Sequence, residues 1–166
     1  MPYHLENLIL KDATIADSAA IRQLALEANI DAWSVADYAD EISRPDSFVL
    51  TISQGQVLLG FLLARLVPGT TDKYPDADLY NIAVDPFARR QGIGANLLAG
   101  LLGQLAKRAV LNVWLEVRES NHEAIAFYES HAFTAELTRP NFYVNPTENA
   151  VIMRRRIVPE QDISEA

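Results

Sequence analysis

The chain has no cysteine. That excludes disulfides, thiolate metal sites and a cysteine nucleophile together, and it fits a reducing compartment such as the cytoplasm. Long apolar runs are missing too. The longest, residues 57–63, is broken by Gly60 and falls far short of the roughly 20 residues of a membrane-spanning helix. Residues 1–10 alternate polar and apolar side chains and lack the basic start and apolar block of a signal peptide. Positive charge is scarce: 14 Lys and Arg face 22 Asp and Glu, for a net charge of −8. A surface of that sign argues against nonspecific nucleic-acid binding, which needs basic patches. It suits a basic peptide as partner through long-range attraction, and equally the general acidity of a soluble enzyme. The three histidines, His4, His122 and His131, show neither metal-ligand spacing nor a Ser/His/Asp arrangement, so no metal is expected.

What is present is a chain of 166 residues, 49% of them hydrophobic. That is enough for one domain with a real core. Residues 8–11 read as a first strand. Thr14 and Asp17 stand at capping-box spacing and open a helix carrying Ile21, Leu24, Ala25 and Ala28. Ser34 and Asp37 repeat the signal for a second short helix, broken by Arg44-Pro45-Asp46. Residues 48–53 and 57–66 form a hairpin around Gln54-Gly55. A polar loop, 68–78, leads to a strand at 79–84, stopped by Asp85-Pro86. Residues 92–108 form the clearest helix, with Ile93, Leu97, Leu98, Leu101, Leu102 and Leu105 in one stripe. In the strand 111–118, Leu111, Val113, Leu115 and Val117 alternate with Asn112, Trp114, Glu116 and Arg118. Ser120 and Glu123 make a capping box for a helix to about His131. Strands at 133–137 and 150–157 follow, then an acidic tail at 159–166 expected to be loose. The order β-α-α-β-β-β-α-β-α-β-β predicts an α/β fold, a mixed twisted sheet with helices on both faces, in a single domain over residues 1–158.

The segment 79–98 carries the chemistry. A strand ends, a turn follows, and Arg89-Arg90-Gln91-Gly92-Ile93-Gly94 opens a helix. Glycines admit a ligand close to the backbone. The N–H groups of a helix's first turn lack internal partners and sit at a positive dipole end, which suits a phosphate. The dinucleotide-binding pattern needs a third glycine and glycines directly after the strand, and the Walker pattern needs Gly-Lys-Ser/Thr; neither is met. Taken alone, the loop is either an anion site or a flexible helix start with two packing glycines.

The same residues match the R/Q-x-x-G-x-G/A pyrophosphate loop of GNAT acetyltransferases, and NIAVDP before them is also that family's. The stretch WLEVRESNHEAIAFYESHAF resembles the W-L-E-V-R-x-S-N-x-x-A-I-x-L-Y-E-x-x-G-F block of the RimI-type enzymes, which acetylate ribosomal-protein alanine. The ending NFYVNPTENAVIMRRRI is similar to that group's N-Y-Y segment and final strand. The resemblance is dense over residues 79–157; before that only Trp33-Ser34 matches the group's first substrate loop. It implies a GNAT fold. It also implies that Ile82, Ala83 and Val84 bind the pantetheine arm, with an N–H near Val84 at the oxyanion. Arg89, Arg90, Gln91, Gly92, Ile93, Gly94 and Ala95 would hold the pyrophosphate of acetyl-CoA, and Asn121 would touch the cofactor. Glu116 would be the general base and Tyr128 the general acid. Trp33 and Tyr143 would face the acceptor.

The residues suit these roles physically. Glu116 lies on the polar side of its strand, where it is either a base or a solvated charge near Arg118. A protein α-amine has a pKa of about 7.7–8.0, so modest help frees it. Asn121 and Tyr128 are nearly two turns apart and share a helix side. A phenol can protonate a leaving thiolate; the plainer reading is an aromatic half-buried beside Ala124 and Phe127. The sequence departs from the group at Ala132, where Gly is usual, at Phe142, which replaces the first Tyr of N-Y-Y, and in the length of the 68–78 loop. The function implied is acetyl transfer from acetyl-CoA to a protein N-terminus, the alanine of a small-subunit ribosomal protein in this group. Two alternatives stand beside it: acetylation of a small-molecule amine, and a non-catalytic CoA-binding module.

Overall fold

The computed structural model describes residues 6–30 and 33–157; the expected tail at 159–166 and His4 lie outside them. Seven strands and four α-helices follow one another in the expected order. The strands form one mixed sheet in the order β1-β2-β3-β4-β5-β7-β6. Among the described residues no helix is long and apolar enough to cross a membrane. The chain divides into two compact units, one comprising residues up to Leu66 with Leu79–Leu105, the other Val67–Asp78 with the residues from Ala106 on.

In the first unit, β1 (Leu8–Asp12) pairs antiparallel with β2 (Ser47–Gln54), which turns through Gly55 into β3 (Val57–Val67). Thr14 and Asp17 form their box, with the Thr14 N–H donating to Asp17 Oδ2 at 2.8 Å, but it closes a 3-10 turn, Ile15–Asp17. Helix α1 (Ser18–Glu27) follows that turn. The Ser34/Asp37 box caps α2 (Val35–Ile42), where the Asp37 N–H donates to Ser34 Oγ at 3.1 Å. Ile21, Leu24, Ala25, Tyr38, Val49, Phe61, Leu63 and Ala83 close into one core. Helix α3 (Ile93–Lys107) buries Ile93, Leu97, Leu98, Leu101 and Leu105 of the predicted stripe. Gly60 explains the break in the apolar run of β3. A Cβ there would lie 2.9 Å from Ile93 Cγ2 and 3.1 Å from the Ala83 carbonyl, so only glycine lets α3 settle this close.

In the second unit, β5 (Asn112–Arg118) pairs antiparallel with β7 (Glu148–Arg156), and β7 with β6 (Thr134–Tyr143). Three sequence expectations are corrected here. First, β4 (Asp76–Val84) begins three residues before the predicted start and pairs parallel with β5 through Ala77↔Val113 and Asp78↔Trp114. Aspartates normally mark loops. Asp76, however, is 1% exposed and fully engaged. It accepts from the Asn112 N–H at 3.1 Å, Asn112 Nδ2 at 3.0 Å and Trp114 Nε1 at 2.9 Å. Buried carboxylates survive only with such partners. Second, β6 runs to Tyr143 through Pro140. It is last in the sheet order, where proline is tolerated because no ladder bond is lost on the open side. Third, helix α4 (His122–Ser130) is capped by Asn121, whose Oδ1 accepts from the Ala124 N–H at 3.2 Å. Ser120 instead donates its N–H to Glu148.

Candidate active site

In the first unit, the end of β4 and the start of α3 frame the loop. Asp85 caps a 3-10 turn, Pro86–Ala88, by accepting from the Phe87 N–H at 2.8 Å, and its own N–H donates to the Leu59 carbonyl at 2.8 Å. The turn is therefore fixed at both ends before the loop begins. Arg90 at φ +60° and Gly92 at φ +80° then place two left-handed residues around Gln91. Such alternation gathers successive N–H groups into an anion-binding concavity. The first N–H groups of α3 add to it. A Cβ at Gly92 would meet nothing within 4 Å, so there is room on this side of the backbone. Arg89 Nε donates to the Val84 carbonyl at 3.4 Å and Gln91 Nε2 to the Phe87 carbonyl at 3.3 Å, which braces the loop. Ala83 and Ile93 are buried, so of these two only the backbone is on offer. Backbone of this kind, with Arg89 and Arg90 beside it, has the chemistry that binds a phosphate. Gly94, Ala95, Ile82 and Val84 lie along the same strand–loop–helix connection.

Trp33 lies elsewhere in this unit. It stacks on Tyr38 with centroids 5.4 Å apart. With Asp37, Asp40, Glu41, Arg44 and Arg65 it lines a cavity of about 410 Å³.

The second unit brings Glu116, Tyr143 and Tyr128 into one neighbourhood, with Asn121 at the start of the helix that carries Tyr128. Glu116 projects from β5 and accepts from Arg139 Nη1 at 3.3 Å. Its cation is thus Arg139 of β6, not Arg118, the neighbour along its own strand. Tyr128 is held between Phe127 and Phe133, with ring centroids at 5.3 and 5.5 Å. Burial, with Tyr143 adding to it, pushes its phenol up to about 12. Burial also raises the Tyr143 phenol, followed by the charges of Glu116 and Glu148, while Arg118 opposes. Each tyrosine therefore feels its neighbours in this cluster, and both keep their protons at neutral pH. Asn121 spends its side-chain oxygen on the helix cap.

Several groups escaped the sequence reading. Asp78 shares this unit; burial, then the nearby Asp76, raises its carboxyl above the usual range, against the pull of Arg139. Arg118 spreads its guanidinium over the Tyr143 ring at 4.3 Å and pairs with Glu148 at 3.2 Å. Arg139 covers Phe142 at 5.9 Å. The only signal for these was alternation along β5 and the length of β6, and the second was underestimated. Among the described residues no group of three or more His, Asp or Glu could hold a metal ion.

Comparison with known proteins identifies the family. The chain is 38% identical over 140 residues to the ribosomal protein bS18-alanine N-acetyltransferase of Escherichia coli, covering 82% of this chain and 89% of that one. It is 30% identical to the enzyme of the same name from Haemophilus influenzae, covering 87% and 96%. The crystal structure of the Escherichia coli ribosomal-protein-S18-alanine N-acetyltransferase superposes with a TM-score of 0.80 at 32% identity, covering 92% of this chain and 95% of that one. The model of the acetyltransferase (GNAT) family matches residues 18–133, most of the chain. On sequence, fold and loop geometry alike, the chain belongs to the GNAT acetyltransferase family.

Proposed function

We propose that this chain transfers an acetyl group from acetyl-CoA to the N-terminal α-amine of a protein, the alanine of a small-subunit ribosomal protein, in the cytoplasm. The observation that carries the reading is 38% identity, along 82% of the chain, to an enzyme named for that acceptor. Residues 1–158 act as one catalytic domain in this reading, since the family match crosses both units.

Acetyl-CoA supplies an activated acetyl thioester. The loop from Arg89 to Ala95 binds its pyrophosphate, the edge of Ile82–Val84 receives the pantetheine arm, and Asn121 contributes a further contact. A backbone N–H near Val84 meets the oxyanion. Glu116 takes the proton of the incoming ammonium, directly or through water, which leaves a neutral amine to attack without a covalent enzyme intermediate. Tyr128 keeps its proton on Oη up to about pH 12. An ordinary thiol titrates near about 8.5, so full transfer from this phenol to a thiolate runs uphill by roughly 3.5 units, about 5 kcal/mol. Tyr128 therefore works by donating a hydrogen bond to the departing sulfur, with complete transfer following only as solvent re-equilibrates the product. Trp33 and Tyr143 contact the acceptor.

The test is acceptor choice. An α-amine is partly neutral at pH 7.5, whereas a lysine near 10.4 is not; the gap of about 2.5 units is roughly 3.4 kcal/mol. One carboxylate does not cover that unaided. The chain is expected to acetylate an Ala-initiated peptide and to leave the N-terminally blocked, lysine-containing counterpart nearly untouched. Glu116→Gln is expected to lose most at pH 6 and progressively less towards pH 9. Equal rates on the two peptides sink the N-terminal assignment. A Glu116→Gln deficit that stays constant with pH removes the base. Product mass after incubation with free amines separates the small-molecule alternative.

A further inference from the structure

The hairpin between β6 and β7 is fastened to the turn before α4 through one side chain. Arg118 Nη1 donates to the Pro146 carbonyl at 3.2 Å and to Glu148 Oε2 at 3.2 Å, and Nη2 donates to the Val144 carbonyl at 3.4 Å. Its plane covers the Tyr143 ring at 4.3 Å. Glu148 in turn accepts from the Ser120 N–H at 2.6 Å. Arg118 is tied to the same turn by its backbone, since its carbonyl accepts from the Asn121 N–H at 2.9 Å. A second strap runs alongside. Asn149 Nδ2 donates to Glu119 Oε2 at 3.1 Å, and Asn149 Oδ1 accepts from the Asn141 N–H at 3.0 Å.

This is more fastening than a surface hairpin requires for stability. The Arg118–Glu148 pair is only part-buried, 34% and 17% exposed, so its contribution to stability is modest, but a planar guanidinium with several fixed partners sets geometry. What it fixes is Tyr143 together with the residue that caps the helix bearing Tyr128.

We propose that Arg118 and Glu148 are positioning residues for the acceptor: they hold Tyr143 and the hairpin backbone where the incoming amine chain binds, in register with the N-terminus of α4. The inference rests on the reading of Tyr143 as an acceptor contact. Neither residue touches the reacting atoms. Arg118 acts through Tyr143 and the Val144 and Pro146 carbonyls, and Glu148 acts by orienting Arg118 and Ser120. The pair therefore governs acceptor affinity and leaves the donor loop alone.

Two variants test it. Arg118→Lys keeps the charge but cannot lie flat on a ring while reaching two carbonyls and a carboxylate, because its donors share one nitrogen. Glu148→Gln keeps an oxygen for the Ser120 N–H and removes the charge facing Arg118. Steady-state kinetics would be run with whichever amine the wild type turns over, with thermal midpoints recorded alongside. Each variant is expected to raise the acceptor KM about tenfold, the scale of one charge-assisted hydrogen bond, while the acetyl-CoA KM stays within about twofold. Wild-type acceptor KM in both variants would overturn the proposal. So would acceptor and acetyl-CoA KM rising together with a lowered thermal midpoint, which marks a purely structural role. If the wild type acetylates small amines and no peptide, the N-terminal reading fails, yet the split between the two KM values still decides this proposal.

Discussion

Helix α4 ends in a backbone conformation that its residue does not favour, and reversing that mismatch has a calculable effect. His131 is the C-cap and Ala132 follows at φ +64°, in the left-handed region. The Ala132 N–H donates to the Glu129 carbonyl at 3.2 Å and the Phe133 N–H to the Tyr128 carbonyl at 3.0 Å. Those two bonds are the Schellman pattern, and its usual hydrophobic contact is present between Phe133 and Tyr128 at 5.5 Å. A left-handed L-residue costs about 1–2 kcal/mol. Glycine removes that penalty but brings about 0.5–1 kcal/mol of extra chain entropy to the unfolded state. Ala132→Gly should therefore gain about 0.5–1 kcal/mol, which for a chain of this size raises the midpoint by about 1–4 °C. Scanning calorimetry measures it, and a urea titration should show a higher midpoint at unchanged slope, the mark of a change in stability without a change in compactness. Turnover should not move, since no side-chain contact is lost. A lowered midpoint would refute the reasoning, because it would mean that the Ala132 methyl contributes more by packing than its backbone costs.

Two further predictions concern the donor side and the leaving group. Gly92→Val places a β-branched side chain at φ +80° and in the room beside the loop; calorimetry should show acetyl-CoA affinity falling about tenfold or more, and unchanged affinity would remove the loop assignment. Tyr128→Phe should keep acetyl-CoA binding and lower kcat by about 10–10²-fold where chemistry limits the rate, the scale of one hydrogen bond to a charged sulfur, and a wild-type kcat would reduce Tyr128 to packing. The same variant has a signature in alkali. The folded phenol titrates at about 12 against an ordinary 10, so its contribution is complete below pH 10 and is lost as pH rises towards 12. Wild type should lose about 2.7 kcal/mol more stability over that window than Tyr128→Phe, in which only the other raised tyrosines, Tyr38 and Tyr143, still contribute.

The loop before α3 was legible in the sequence because it is local. Strand end, turn, loop and helix start lie within residues 79–98, so spacing alone shows two glycines, two arginines and free helix N–H groups converging. The stripe on α3 and the alternation of β5 are equally local, and both hold in the structure. Where the reading missed, a nonlocal partner had changed the meaning of a residue. Asp76 looked like loop until Asn112 and Trp114 took up its oxygens. Ser120 looked like a cap until Glu148 claimed its N–H and left Asn121 to close the helix. Pro140 shortened the predicted β6 because its place at the end of the sheet order cannot be seen from the chain. Arg118 was set beside Glu116 and Arg139 was given no partner, because Glu148 and Glu116 reach them only through the pairing of β5, β6 and β7.

The partner of Glu116 bears on how a proton acceptor stays usable. In the structure Glu116 is 3.3 Å from Arg139, with side chains 39% and 56% exposed. A buried pair would be expensive to open, several kcal/mol for each ion left alone. An exposed pair contributes about 1 kcal/mol or less, well under the roughly 3.4 kcal/mol that separates an α-amine from a lysine amine in proton affinity. An arriving ammonium can thus displace Arg139 from Glu116 at small cost. The displaced guanidinium has somewhere to go, since Phe142 and the charge of Asp78 lie within its influence. Arg139 therefore holds the Glu116 side chain in place before the acceptor arrives without competing strongly once it is there. That arrangement suits an acceptor whose proton is already weakly held, and it suits a lysine poorly.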